Sequence, residues 1–562
     1  MAKYTIGIDF GTLSGRAVLV DVSNGAAISS AAYDYPHGVM DRSMPDGTVL
    51  PKDWAIQHPQ DYLDVLDQTI PRLVEMSGVC KEDIIAIGVD FTSSTTLPVD
   101  KMGTPLCFLD DFRSNPHAYV KLWKHHAAQP QADRMTKEAL RRDEEWLPSY
   151  GGKVSCEWSV PKLWQVLEEA PEVYEAMDAW VEAGDWITWQ LCGRYVQSAC
   201  AAGYKSFHRK QHGFPSADYF AALDERLRNV VEEKLHGPVA PVCGKAGTLT
   251  KAMAYRLGLE PGIAVAVSMV DAHACVPAAG ITKAGQMLAI IGTSTCFMAI
   301  DDRLRPVPGI SGVVEDGILP GCWGYEAGQS CVGDHFAWIS DNLVPGSYQQ
   351  EARKREISVQ QYLTELAGKQ FPGEHGLMAL DWWNGNRSIL MDSDLTGLLL
   401  GMTLHTRPED IYRALMEATA YGARIIVENF RSHGIAVEEF YVTGGIGQKN
   451  AMMMQIYADV LKLPVRVVSA SQGGALGSAI VAAVAAGVSN GGYDTIMDAI
   501  NAMAAESETV YYPDADHTAV YERLYKIYCG LYDLFGREEP SLMHDLKAFH
   551  RKNNAESESL FL

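Results

Sequence analysis

The chain has 562 residues and a formal net charge of −23 at pH 7. This length exceeds what one hydrophobic core usually supports, so we expect at least two large domains. An acidic surface repels a nucleic-acid backbone, and no apolar stretch is long enough to span a bilayer, so we expect neither nucleic acid nor a membrane as a partner. Eleven dispersed cysteines, and an N-terminus without a signal-peptide pattern, favour a cytoplasmic location.

The first predicted elements form a hairpin with a glycine-containing turn. Apolar runs at 4–9 and 17–21 predict two strands, and the turn between them includes Gly11 and Thr12. Such a turn exposes backbone N–H groups, and the threonine hydroxyl adds a donor, so it is suited to phosphate oxygens. Asp9 ends the first strand, where a carboxylate beside phosphate donors is suited to hold Mg²⁺ through water. Taken alone, the turn is better explained by the need to close a hairpin.

The middle of the first half contains two further predicted strands and a helical region. The strands cover 84–90 and 264–270, and helical spacing dominates 130–213. Asp271 directly follows the later strand. A carboxylate at a strand tip is suited to take a proton from a substrate hydroxyl, but it is equally suited to cap the helix that follows. The local sequence leaves both roles open.

A second hairpin repeats the pattern of the first about half the chain later. Strands are predicted at 287–291 and 296–300, with Gly292, Thr293 and Ser294 between them. Two such hairpins indicate a duplicated architecture. We therefore predict a first domain at 1–280, a second at 281–545 and a polar tail at 546–562.

A third glycine-rich element lies at 440–461. A predicted strand at 440–443 leads through a glycine turn at 444–447 into a helix predicted at 450–461. A nucleotide binds well at such a helix N-terminus. The element half-matches a dinucleotide fingerprint, but Asn450 replaces the third glycine and no acidic residue ends the next strand, which disfavours an NAD-dependent oxidoreductase. The sequence has no G-x-x-x-x-G-K-[ST] motif, which excludes a P-loop kinase.

Together these elements resemble the FGGY family of carbohydrate kinases. The segments 7–12, 292–294 and 443–450 resemble its two phosphate elements and its adenosine element, and 397–417 resembles its second signature. Pro161-Lys162-Leu163-Trp164 has the character of the first signature, with compressed spacing. The resemblance implies an α/β fold of two actin-like (ribonuclease H-like) domains with a nucleotide and sugar cleft between them.

The resemblance also implies roles for individual residues. Asp271 would be the general base and Asp9 the carboxylate linked to Mg²⁺. The ATP contacts would be Thr12, Arg16, Gly292, Thr293, Gly444, Gly445 and Asn450. The sugar pocket would be lined by Ser93, Lys205, Asp271 and Glu326, although Lys205 and Glu326 are individually indistinguishable from surface charges.

The substrate implied by the resemblance is a ketopentose such as ribulose, phosphorylated by ATP. The segments behind this are 11–18, 89–92, 122–126, 145–148 and 201–205, which resemble the ribulose-phosphorylating members. Another pentulose or a polyol stays open as the substrate. An actin-like ATP switch that acts on a protein partner is a rival function, and a homodimer is the expected assembly.

Overall fold

The computed structural model describes residues 2–469 and 472–549. Its first half contains, in chain order, the strands β1 (Tyr4–Phe10), β2 (Ser14–Asp21), β3 (Ala27–Asp34), β4 (Ile56–Gln57), β5 (Ile84–Phe91), β6 (Thr96–Val99), β7 (Val120–Lys121), β8 (Ala179–Glu182), β9 (Gln197–Ser198), β10 (Val239–Ala240), β11 (Lys245–Thr248), β12 (Ala264–Ala266) and β13 (Met269–Val270). The second half contains β14 (Gly285–Ile291), β15 (Thr295–Asp301), β16 (Gly312–Glu315), β17 (Trp323–Gln329), β18 (Met378–Leu380), β19 (Leu398–Leu400), β20 (Val437–Thr443), β21 (Val465–Val468) and β22 (Ser507–Tyr511).

Helices alternate with these strands in both halves. Those of the first half are α1 (Pro59–Ser77), α2 (Gln129–Arg142), α3 (Ser159–Glu169), α4 (Pro171–Ala176), α5 (Ala183–Cys192), α6 (Ala199–Ser206), α7 (Ala217–Leu223), α8 (Val230–Lys234), α9 (Lys251–Leu257) and α10 (Asp271–Ala278). Those of the second are α11 (Gly333–Asn342), α12 (Gly346–Lys354), α13 (Val359–Ala367), α14 (Pro408–Ser432), α15 (Gly445–Lys449), α16 (Ala451–Leu461), α17 (Gly473–Ala486), α18 (Ile496–Met503) and α19 (Ala515–Asp533).

Two large sheets share one strand plan. The first has the order β11-β12-β5-β1-β2-β3, with β13 also pairing with β5, and the second has the order β16-β17-β15-β14-β20-β21-β22. In each, an antiparallel meander (β1-β2-β3 or β14-β15-β17) continues into two parallel strands (β5 and β12, or β20 and β21) and ends in an antiparallel strand. This repetition is what the two predicted hairpins imply.

The central strand β5 is buried along its whole length, which suits a nearly continuous apolar run flanked by parallel neighbours. The later predicted strand at 264–270 is not continuous, and that prediction is wrong in detail. It divides into β12 and β13 because the N–H of Val267 donates to the carbonyl of Gly244 at 2.9 Å, while Ser268 turns its hydroxyl toward Asp185 at 2.6 Å.

The region predicted as helical at 130–213 carries α2 to α6 and has its own apolar core. Its helices pack around buried indole rings that include Trp146, Trp164 and Trp180. A small sheet of order β4-β7-β6-β8 connects this region to the first large sheet. The region therefore covers one end of the first half, beside the carboxyl ends of β1 and β5.

Helix α17 belongs to the second half by sequence but covers the first sheet. A Cβ added at Gly7 of β1 would lie 1.7 Å from the carbonyl oxygen of Ala475, and one added at Gly88 of β5 would lie 2.0 Å from that of Ser478. The helix backbone therefore rests directly on these two glycines. A single apolar cluster joins α17 to both sheets.

No helix within residues 2–469 and 472–549 is long and apolar enough to cross a membrane. The predicted polar tail starts at residue 546. Residues 546–549 continue a helical stretch that begins at 541, and 550–562 lie outside the described residues.

Candidate active site

Three carboxylates meet where neighbouring strands of the first sheet end. Asp9 of β1 is paired in register with Asp90 of β5, and β13 pairs with β5 so that Asp271 follows immediately at the same edge. The hydroxyl of Ser478, in α17, donates to Oδ2 of Asp90 at 2.7 Å. Among the described residues, no donor reaches Oδ1 of Asp90. The carboxyl edge of this sheet is therefore rich in negative charge and contains an acceptor that is free for a ligand.

Burial and mutual repulsion raise the pKa values of this group. Burial, followed by repulsion from Asp9, raises the pKa of Asp271 to about 7. Burial and the charge of Asp9 raise the pKa of Asp90 well above its usual range. Burial also raises the pKa of Asp9, although a hydrogen bond from Asp90 and, after it, the charge of Arg16 opposite it in the hairpin partly offset this. Asp271 is thus suited to exchange a proton near neutral pH, whereas Asp9 and Asp90 are suited to share a cation.

Asp271 is also part of a helix start. It is the first residue of α10, Val270 is the cap, and Oδ1 of Asp271 accepts from the backbone N–H of Ala272 at 2.7 Å. The local bond uses one carboxylate oxygen. The capping role left open by the sequence is therefore wrong, because Val270 is the cap and Asp271 is already helical. The bond to Ala272 instead fixes the carboxylate that lies beside Asp9 and Asp90.

The first glycine turn is held by three side chains. Tyr35 donates its hydroxyl proton to the carbonyl of Gly11 at 3.0 Å, and the amide of Gln57 donates to the carbonyl of Thr12 at 2.7 Å. The indole N–H of Trp123 donates to Oγ1 of Thr12 at 3.1 Å. Because the hydroxyl of Thr12 accepts this bond, its own proton is free to point at a phosphate oxygen.

The second glycine turn is closed by a backbone hydrogen bond and is supported by the segment at the start of α11. The N–H of Gly292 donates to the carbonyl of Ser294 at 2.9 Å. The loop before α11 donates from Val332 to the carbonyl of Thr293 at 2.7 Å and from Gly333 to that of Gly292 at 3.0 Å. Thr293 itself is exposed at the tip, as a phosphate contact requires.

The strand–glycine–helix element lies beside this second turn, because β20 is parallel to β14. Gly444 has φ 99°, and a Cβ there would lie 2.4 Å from the carbonyl oxygen of Ile291. The predicted turn at 444–447 is wrong, since Gly445 begins the short helix α15. Asn450 caps α16 instead of opening it, and its side-chain oxygen accepts from the N–H of Met453 at 3.0 Å.

A buried ion-pair network lies on the other side of Asp271. Nζ of Lys205, in α6, donates to Oε2 of Glu326, in β17, at 2.8 Å, and Nη2 of Arg387 donates to Oε1 at 2.6 Å. Nε2 of His273 lies 3.3 Å from the same carboxylate. Burial alone would raise the pKa of Glu326, but Lys205, His273 and Arg387 hold it well below its usual range. A fixed carboxylate and ammonium beside Asp271 are suited to orient sugar hydroxyls.

Ser93 lies in the turn after β5 and is partly buried. The hydroxyls of Thr92 and Thr95, on either side of it, are hydrogen-bonded to each other at 2.8 Å. Ser93 follows Asp90 by three residues, so it lies just beyond the carboxyl end of β5, the end at which Asp9 and Asp90 are paired.

Four residues of the site have no role predicted from the sequence: Asp90, His273, Arg387 and Trp123. Asp90 had a usable signal, because it ends a buried strand as Asp9 does. His273 follows Asp271 by two residues but shows no pattern of its own. Arg387 lies in an irregular loop, and only the fold brings it to Glu326.

Comparison with known proteins points to one family. The profile for the N-terminal domain of the FGGY family of carbohydrate kinases matches residues 4–276, and that for its C-terminal domain matches residues 287–486. The chain is 53 % identical over 536 residues to a ribulokinase of Bacillus licheniformis, covering 95 % of this chain and 97 % of that one. It is 49 % identical over 561 residues to a ribulokinase of Geobacillus thermodenitrificans, covering 100 % and 99 %.

A solved structure is similar over nearly the whole length. The xylulose kinase of Rhodospirillum rubrum superposes with a TM-score of 0.78 at 23 % identity, covering 96 % of this chain and 100 % of the other. The predicted fold class, α/β with two actin-like (ribonuclease H-like) domains, is thereby confirmed.

Proposed function

The chain belongs to the FGGY family of carbohydrate kinases, and from this premise we propose that it is an ATP-dependent ribulokinase. It transfers the γ-phosphate of ATP to the C5 hydroxyl of L-ribulose, and of D-ribulose as a second substrate, to give ribulose 5-phosphate in L-arabinose degradation. The observation that carries the proposal is that Asp9, Asp90 and Asp271 meet at one edge of the first sheet, where the charges of Glu326 and Lys205 also act on Asp271. Full-length similarity to proteins named ribulokinase supports the choice of sugar.

Asp271 acts as the general base. Its pKa of about 7 lets it accept the proton of the attacking hydroxyl at the pH at which it is largely ionised. Lys205 and Glu326 bind the sugar hydroxyls, and Ser93 borders them from the turn after β5. Phosphoryl transfer needs little covalent help, so holding the hydroxyl in line with the phosphate accounts for most of the rate.

Backbone amides and small side chains bind the nucleotide. The acidic chain repels ATP at long range, so the compensating groups must be local. The phosphates are bound by the two glycine turns, and the adenosine by the segment around α15. The residues assigned to these contacts are Thr12, Arg16, Gly292, Thr293, Gly444, Gly445 and Asn450.

Mg²⁺ fits the Asp9–Asp90 pair. Magnesium commonly binds through one or two carboxylates together with waters and substrate phosphates, and Oδ1 of Asp90 is buried without a donor. Within the described ranges no group of three or more His, Cys, Asp or Glu side chains is arranged to hold a metal by itself. Asp9 and Asp90 would hold the ion, which would neutralise phosphate charge.

The two halves bind the substrates from opposite sides. We place the domain boundary at residue 280, with domains at 1–280 and 281–545. The two domains close about this boundary and so exclude water from the reaction. The Lys205–Glu326 pair already joins the halves at the sugar side. The assembly is a homodimer, the commonest closed form for soluble enzymes.

The test of the proposed function is ADP release measured with Mg²⁺-ATP and a panel of acceptors. The panel is L-ribulose, D-ribulose, D-xylulose, glycerol and no sugar. We expect turnover that depends on ribulose. Equal ADP release with and without sugar would contradict the proposal and favour an ATP switch, and a preference for xylulose or glycerol would move the substrate to another member of the class.

The role of the base is tested with Asp271→Asn. This variant should lose kcat by more than a hundredfold while still binding ribulose and ATP, because only proton acceptance is removed. A fall in kcat of less than about tenfold, or about 1.4 kcal/mol, would show that Asp271 is not the base.

A further inference from the structure

The partial first-signature motif contains a buried cation that the reaction itself does not use. Lys162 lies in α3, and its side chain is fully buried. Its ammonium donates to the carbonyl of Ser94 at 2.7 Å and to the carbonyl of Leu122 at 2.8 Å. Burial lowers the pKa of Lys162 to about 8, and the nearby charges of Glu182 and Glu157 offset part of this effect. One ammonium therefore joins two backbone segments that are separate in sequence.

The first of these segments carries the turn that borders the sugar. We call residues 92–95 the sugar turn. Ser94 has φ 52°, in the left-handed region that residues other than glycine rarely adopt. Among the described residues, its hydroxyl has no hydrogen-bond partner. The bond from Lys162 to the Ser94 carbonyl thus helps to hold a conformation that is unfavourable in isolation, and Ser93 is placed by it.

The second segment leads to the nucleotide. Leu122 is followed by Trp123, whose indole N–H donates to Oγ1 of Thr12. We call residues 11–13 the phosphate turn. The connection therefore runs from the sugar turn through Lys162 to Leu122 and Trp123, and from there to the phosphate turn, through hydrogen bonds of 2.7, 2.8 and 3.1 Å.

We propose that Lys162 is a positioning residue that fixes the sugar turn relative to the phosphate turn, and so aligns the acceptor hydroxyl with the phosphate that it attacks. The inference rests on the proposed kinase function. A packing role alone does not explain an ammonium here, because an apolar side chain of similar length would fill the same volume without the cost of burying a charge. What an apolar side chain cannot do is bond to two carbonyls at once.

The test compares Lys162→Met with a matched control. Lys234→Met removes another largely buried ammonium, one that donates to the carbonyl of Met177 at 2.6 Å in the same half of the molecule. Lys162→Met loses two lysine–carbonyl bonds and Lys234→Met loses one, but among the described residues the bond of Lys234 reaches neither turn. Lys162→Met should lose kcat with L-ribulose by about tenfold to a hundredfold, the size expected for a misalignment of about 1 Å, while Lys234→Met stays within twofold of the wild type.

Two further measurements separate positioning from general destabilisation. Binding of ATP alone and of L-ribulose alone, by calorimetry, should change less than threefold in Lys162→Met, because the Lys205–Glu326 pair and the bonds from Tyr35 and Gln57 to the phosphate turn do not depend on Lys162. The ratio of ADP released to ribulose 5-phosphate formed should rise, since water competes for a misaligned phosphate. A folded Lys162→Met protein with kcat within twofold of the wild type would overturn the inference.

If Lys162→Met does not fold, the positioning role of Lys162 is tested with Lys162→Gln and Trp123→Phe instead. Each weakens one end of the same connection, so each should lower kcat at least fivefold and the double variant should lose less than the product of the two effects. An unchanged kcat in Trp123→Phe, or fully multiplicative losses, would overturn the inference. The wild type is measured first with L-ribulose: absence of sugar-dependent ADP release there refutes the proposed function itself, whereas an active wild type with unaffected variants refutes only the role of Lys162.

Discussion

Replacing Asp271 with asparagine should make the folded chain more stable as well as inactive. Burial and the charge of Asp9 raise the pKa of Asp271 from its ordinary 3.8 to about 7. One pKa unit corresponds to about 1.4 kcal/mol, so the ionised carboxylate destabilises the folded state by at most about 4 kcal/mol. Because the side chain keeps some exposure to solvent, we expect about 1–2 kcal/mol in practice.

The effect has a defined pH dependence. Below about pH 3 the carboxyl is protonated in both the folded and the unfolded chain, so the difference in stability between wild type and Asp271→Asn should vanish. As the pH rises from 4 to 7 the unfolded chain releases this proton before the folded chain does, and the wild type loses stability relative to the variant. Above about pH 8 the difference is constant.

The assay is thermal unfolding of both proteins in buffers from pH 5 to pH 9, without nucleotide or sugar. Asp271→Asn should have a higher Tm at pH 8 by about 1–2 °C, and the gap should narrow toward pH 5. Asp46→Asn is the control of opposite sign, because hydrogen bonds from Thr48 lower the pKa of this surface carboxyl. A Tm difference for Asp271→Asn that is zero at pH 8, or independent of pH, would refute the argument from burial.

Two other substitutions test the contacts that hold the site together. Glu326→Gln leaves Lys205 and Arg387 without their carboxylate. Because breaking a buried ion pair is costly, the free energy of unfolding measured in urea titrations should fall by about 3–5 kcal/mol. A loss under about 1 kcal/mol would mean that water replaces the carboxylate at no cost. Gly7→Ala should yield little soluble protein, because its Cβ would lie 1.7 Å from a backbone carbonyl of α17. The control is Gly530→Ala, at a helical position with open space around it, which should leave Tm unchanged or raise it slightly. Equal yields of the two variants would contradict the close contact between Gly7 and α17.

Much of the architecture follows from local pattern. Strand 84–90 is continuous and apolar, and it is found almost where the sequence puts it. Both glycine turns are closed by short hydrogen bonds within the hairpins, which are local interactions. The division of the strand at 264–270 was not predictable in the same way, because it depends on Gly244 and Asp185, which are distant in sequence.

The site is less accessible to sequence reasoning. Asp271 stands out as a strand-final carboxylate, yet its raised pKa depends on Asp9 from the other end of the first half. Lys205 and Glu326 look like surface charges until the fold pairs them across 121 residues. Arg387 has no local pattern at all, since its function in the network comes only from the position of the loop that carries it.

The packing of α17 against the first sheet affects how the chain reaches its native state. In the sheet that begins at residue 4, Gly7 and Gly88 lie on a face that residues 473–486 cover. During synthesis this face stays open until more than four-fifths of the chain has been made. Such late, sequence-distant closure slows folding and prolongs the exposure of apolar surface. A fragment that ends near residue 280 should therefore aggregate, and newly made chains should depend on chaperones until the helix is in place.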